Sequence, residues 1–128
     1  MLLTFTKPHF EQSIKDCVKI HTIRADKGNR WKVGTKIHFW RGNPRNTRGL
    51  NKPYQFGLGE VSRIESIKIN THTDTIDIDG VRFQSKGELD AIAKNDGFDS
   101  WQEMREFFIG DTGYFVGKII FWKDCTWL

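Results

Sequence analysis

The stretch Lys19-Ile20-His21-Thr22-Ile23-Arg24 places an amine, a hydroxyl and a guanidinium within six residues. A threonine hydroxyl attacks a carbonyl when a base takes its proton, and a lysine of depressed pKa can be that base. The same stretch opens the most basic part of the chain. Arg24 to Lys52 holds nine Lys and Arg residues against one acid, Asp26. Chemistry and cationic surface start together, which points to an anionic partner, with nucleic acid the first candidate. Strand geometry sets a condition. Thr22 and Arg24 share a strand face, whereas Lys19 has the opposite parity. Lys19 meets Thr22 only if the chain bends between them or Lys19 lies in the preceding turn. A bare Lys-x-x-Thr spacing also fits two polar side chains on an exposed strand.

The elements that must position these groups can be read from periodicity. Leu2–Phe5 is a short apolar run that fits a first strand. Pro8 starts a helical turn, and Phe10, Ile14 and Cys17 or Val18 follow at helical spacing. Val18–Arg24 is β-rich, Ala25–Gly34 is a polar loop, and Thr35–Trp40 alternates as a strand. Arg41–Gly57 reads as a long loop. Leu58–Ile69 is strand-like with a break expected near Ile64. Thr75–Phe83 is a hairpin around Asp79-Gly80, a pair suited to a type I′ turn. Two helices follow, opened by Ser85 with Glu88 and by Ser100 with Glu103, and Gly97 and Gly110 sit where helix C-caps belong. Gly117–Trp122 closes the series as a buried strand. Grouped strands and grouped helices argue for an α+β fold whose five or six strands close into a compact barrel or form a strongly curled sheet.

At 128 residues the chain is expected to form one domain, 1–128, with ten Phe and five Trp to fill its core. Residues 1–53 carry 12 Lys and Arg against 3 acids, and residues 54–128 carry 8 against 13. Such asymmetry fits an anionic partner for the first half, or mutual attraction of the halves. Cys17 and Cys125 lack metal or redox spacing and read as reduced thiols. His9, His21, His38 and His72 lack ligand spacing, and no Gly-rich phosphate loop is present, so no metal or cofactor is expected. No apolar run approaches the roughly 18 residues of a membrane span, and no signal pattern opens the chain. A soluble, cytoplasmic protein without membrane contact or evident obligate protein partner is expected.

Lys19-x-x-Thr22-x-Arg24 followed by Trp31–Ile37 resembles the signature of the ASCH domain, a PUA-like β-barrel family. Asp96-Gly97-Phe98-Asp99-Ser100-Trp101 and Gly117–Trp122 are similar to later parts of its pattern. The resemblance implies a PUA-like barrel with two or three flanking helices. One bacterial branch is an amidohydrolase that deacetylates N4-acetylcytidine. Its matched residues imply that Thr22 attacks the acetyl carbonyl, Lys19 takes the proton and Asp96 holds the lysine. That branch has Glu where Asp96 stands, and the family's usual Gly is replaced here by Cys17. Other branches are thought to bind or process RNA. Arg24, Arg30, Arg41, Arg45 and Arg48 can pair with phosphates. Trp31, Trp40, Tyr54 and Phe56 interleave with them, as a base-stacking surface or as core and barrel rim. The expected partner is RNA or a modified nucleoside, handled by a small amidohydrolase or RNA-processing hydrolase, or by a non-catalytic single-stranded RNA-binding module.

Overall fold

The computed structural model describes residues 1–45, 52–110 and 112–128. It is an α+β fold with one seven-stranded mixed sheet and three helices. The strands are β1 (Leu2–Phe5), β2 (His21–Arg24), β3 (Lys36–Arg41), β4 (Tyr54–Asn70), β5 (Thr75–Ile78), β6 (Val81–Phe83) and β7 (Tyr114–Trp127). The helices are α1 (Phe10–Lys15), α2 (Lys86–Asn95) and α3 (Trp101–Phe108).

Two long strands organise the sheet. β4, of 17 residues, pairs with β7 antiparallel along most of its length. Its register shifts between Leu58 and Glu60 and again between Val61 and Arg63, just before the break expected at Ile64. β3 takes the first half of the other edge of β4, and β5 takes the last. β1 runs parallel to β3, and β2 runs antiparallel to β7. The path β1-β3-β4-β7-β2 therefore leaves β1 and β2 as its two ends. Among the described residues no ladder joins them.

The β5–β6 turn has φ of 47° at Asp79 and 84° at Gly80, the left-handed pair that a type I′ turn needs. α2 begins with a complete capping box between Ser85 and Glu88. Before α3, the Ser100 side chain accepts from the Glu103 N–H, as its spacing predicts. The core runs between sheet and helices. Phe5, Phe39 and Phe56 cluster with Trp127 at one end, and Ile67, Ile69, Ile76, Leu89 and Met104 fill the other. No helix among the described residues is long and apolar enough to cross a membrane.

Two strands are longer than their sequence pattern suggests. β4 starts at Tyr54 rather than Leu58, and β7 runs on to Trp127 rather than ending at Trp122. The pairing of Gly57 with Trp127 and of Leu58 with Thr126 accounts for both extensions. The long loop is shortened accordingly, because β3 ends at Arg41 and β4 begins at Tyr54.

Candidate functional site

The site is built from two helix ends. After α1, Cys17 adopts a left-handed φ of 61°. Its N–H donates to Ile14 O at 3.2 Å and the Val18 N–H donates to Ser13 O at 2.9 Å, the paired bonds of a Schellman turn. After α2, Gly97 repeats the device at φ 92°, with Gly97 N–H to Lys94 O at 3.0 Å and Phe98 N–H to Ala93 O at 2.9 Å. The two turns are joined by the Ile20 N–H, which donates to Asn95 O at 2.9 Å. Lys19 thus leaves a turn and precedes the strand. Its side chain is freed from the alternation that would have sent it away from Thr22.

That placement buries Lys19 at 1% exposure. Its ammonium donates to Asp96 O at 2.6 Å, to His21 O at 2.9 Å and to Asp96 Oδ1 at 3.2 Å. Asp96 is the C-cap of α2, so the cation also sits at the negative end of a helix. Burial draws the lysine below its usual pKa. Asp96 opposes this by charge and hydrogen bond, and Arg24 adds to the lowering. Asp96 Oδ1 is also 3.0 Å from His21 Nδ1. The close packing explains Gly97 a second time. A Cβ there would stand 2.9 Å from both Lys19 Cδ and Phe10 Cε1.

These groups meet at a cavity of about 660 Å³ in the seam between β1 and β2. Lys19, Thr22, Arg24 and Asp96 line it, with aromatic walls that include Phe10 and Phe98. Thr22 is 5% exposed, and its hydroxyl makes no hydrogen bond with any described residue, Lys19 included. Arg24 spans the seam. Its Nη2 donates to Thr4 O on β1 at 2.8 Å, and its guanidinium carbon lies 5.2 Å from the centre of the Phe5 ring. Its Nε is buried without a partner among the described residues. Burial lowers the Arg24 pKa, with Asp96 pulling the other way.

The remaining basic residues lie elsewhere. Arg30 and Arg45 are exposed, and their backbone N–H groups close turns on Asp26 Oδ1 and Asn43 Oδ1. Arg41 donates to Thr6 O, which puts it at the border of the cavity and not in its wall. Trp40 is half-buried on β3 with its indole N–H unpartnered among the described residues. Neither it nor Arg30, Arg41 or Arg45 lines the cavity. Arg48 lies outside the described residues. Of the interleaved aromatics, Trp31 and Phe56 belong to the core, and the Tyr54 hydroxyl donates to Glu11. The stacking surface expected from those two aromatics is therefore withdrawn into packing.

Sequence reasoning missed His21 and the wall rings Phe5, Phe10 and Phe98. His21 showed no ligand spacing because its partner, Asp96, lies 75 positions away. The rings carried only the signal of strand or helix periodicity. Comparison with family models, with curated proteins and with solved structures finds no match to this chain.

Proposed function

We propose that the seam cavity binds a nucleoside with a modified base, free or within RNA, and that the sheet is a PUA-like barrel of the ASCH type left open at this seam. The observation that carries the reading is one aromatic-walled cavity that gathers Lys19, Thr22, Arg24 and Asp96 from distant segments. A nucleobase offers a π face for stacking and a polar edge for a few fixed hydrogen bonds. Rings on the walls and the Thr22 hydroxyl with the Arg24 guanidinium below supply both kinds of contact.

Thr22 lines the same cavity as Lys19, which supports a second reading, hydrolysis of an acyl amide on that base once the two side chains come within hydrogen-bond reach. Thr22 Oγ bonds to the acyl carbon as its proton passes to Lys19. The C–N bond then breaks, and Lys19 returns the proton to the departing amine. Water cleaves the resulting ester, giving the free acid and restoring Thr22. Lys19 must enter this cycle as the neutral amine, with two protons and one lone pair. Its lowered pKa brings that form closer to neutrality.

The test is affinity and turnover on a panel of acylated nucleosides, for the wild type, Thr22→Val, Lys19→Met and the double variant. Hydrolysis predicts that each single variant loses turnover by orders of magnitude and that the double variant is little worse, because the two groups act as one unit. Binding alone predicts no turnover and a loss of about 1 kcal/mol of affinity for Thr22→Val. A wild type that binds no nucleoside would refute both.

A further inference from the structure

One buried polar group of the cluster stays outside the cavity. His21 is 4% exposed, yet it is not among the residues that line the seam. It precedes Thr22 on β2, so its side chain points to the other face of the strand. There its ring meets Phe121, its cross-strand neighbour, edge to face at 5.0 Å between centres. His21 nevertheless holds Lys19 twice. Its carbonyl accepts from the ammonium at 2.9 Å, and its Nδ1 lies 3.0 Å from the Asp96 oxygen that also accepts from Lys19 at 3.2 Å. That bond to Oδ1 is the longest of the three that the ammonium makes. A ring nitrogen and a carboxyl oxygen hydrogen-bond only when one of them carries the proton. If Nδ1 carries it, Oδ1 divides itself between two donors. If Oδ1 carries it, the carboxyl has no charge to offer Lys19. Either placement weakens the hold of Asp96 on the ammonium and favours the neutral amine.

We infer that His21 is a positioning residue of this site, acting on Lys19 through the carboxylate oxygen that the two share. A lysine with the Asp96 carboxylate to itself is a well-paired ammonium, without a lone pair for the proton of a hydroxyl. His21 takes part of that carboxylate away from behind the cavity. Other charged groups bear on the trio. Arg24, on β2, adds to the lowering at Lys19. His9, before α1, has its Nε2 3.1 Å from Gly97 O, one residue beyond Asp96. Arg63, on β4, lies 4.0 Å from the centre of the Phe121 ring. Among the described residues none of these three hydrogen-bonds to the Asp96 carboxylate, which leaves His21 and Lys19 as its partners. The consequence for chemistry rests on the hydrolysis reading, and the effect on Lys19 does not.

NMR of the Lys19 side chain through a pH titration tests it on the full chain, with Lys19→Met to assign the signal. His21→Phe keeps a ring against Phe121 and loses the nitrogen. It should raise the Lys19 midpoint by about one pH unit, about tenfold in the proton equilibrium. His21→Asn sets an amide nitrogen at the same number of bonds from Cβ as Nδ1, and should keep that equilibrium within about twofold of the wild type. His21→Gln carries its amide one bond further and should titrate like His21→Phe, so it decides the matter if the phenylalanine variant does not fold. Unfolding midpoints measured beside the titrations identify a purely structural role, which lowers stability and leaves Lys19 unmoved. An unmoved Lys19 midpoint in folded His21→Phe or His21→Gln overturns the inference, as does His21→Asn titrating like His21→Phe. Turnover of N4-acetylcytidine tests the consequence. In His21→Phe, kcat at neutral pH should fall about tenfold with KM within about twofold, and should recover as pH approaches the new midpoint. A kcat loss that is equal at every pH overturns the role in catalysis. A wild type without turnover refutes the hydrolysis reading, and the Lys19 titration then decides the inference alone.

Discussion

Gly97 meets two demands, a left-handed backbone and a near approach to Lys19 and Phe10, and neither leaves room for a side chain. Gly97→Ala should lower stability by about 2 kcal/mol or more in urea titrations, and should displace Lys19 from Asp96. Asp96→Asn tests the partnership from the other side. It leaves a buried ammonium with carbonyl partners alone, which should cost about 3–5 kcal/mol. The pH dependence has a definite sign. Lys19 has a folded pKa below its unfolded value, so the folded state binds fewer protons and stability rises as pH climbs toward the free lysine value of about 10.4. In Asp96→Asn that rise should be steeper and begin at lower pH. Denaturation at several pH values between 7 and 10 checks it, and a flat profile in the variant would contradict it. The residues of this cluster were half legible in sequence. Lys19, Thr22 and Asp96 stand in quotable motifs, and the parity of Lys19 made its meeting with Thr22 conditional on a bend or a preceding turn, the second of which Cys17 supplies. His21 was not legible, because only the fold brings its ring to Asp96.

At the scale of elements, the two Schellman turns aim the site, and one of them lacks its preferred residue. Cys17→Gly should relieve the left-handed strain and raise stability by up to about 1 kcal/mol, read from the denaturation midpoint. Ser85→Ala should cost about 1 kcal/mol by breaking the capping box of α2, whose far end carries Asp96. Asp26 organises the loop after β2. Burial raises its pKa, but the Arg30 N–H, the Lys118 ammonium and the Trp31 N–H outweigh this and hold the carboxyl below its usual range. Its stabilisation is complete above the unfolded value of about 4 and is lost as pH falls through the lower folded value. Asp26→Asn should therefore lose stability at neutral pH and match the wild type more closely in acid. Helix starts and the Asp79-Gly80 hairpin were legible because local chemistry specifies them. The ends of β4 and β7 were not, because Tyr54-Gln55-Phe56-Gly57 and Lys123-Asp124-Cys125 become strand by pairing across the sheet. Asp124, at φ 52°, shows how little local propensity decided there.

For the whole molecule, the charge asymmetry of the sequence survives as surface more than as internal attraction. Lys36 with Glu60 and Lys118 with Asp26 join the halves, while Arg30 and Arg45 stay exposed without an ion pair among the described residues. If single-stranded RNA follows this surface, Arg41→Ala with Arg45→Ala should flatten the log–log salt slope of binding by roughly 0.7 for each lost phosphate contact. An unchanged slope would remove RNA from that face. The open seam has a further consequence. Among the described residues β2 pairs with β7 alone, and across the seam the Arg24 side chain reaches from β2 to the Thr4 carbonyl of β1 where a strand ladder would otherwise stand. Amides there should trade their hydrogens for deuterium far sooner than those locked between β4 and β7, since exchange follows the least costly local opening. The slowing of those few amides would then report an arriving ligand before any chemistry is assayed.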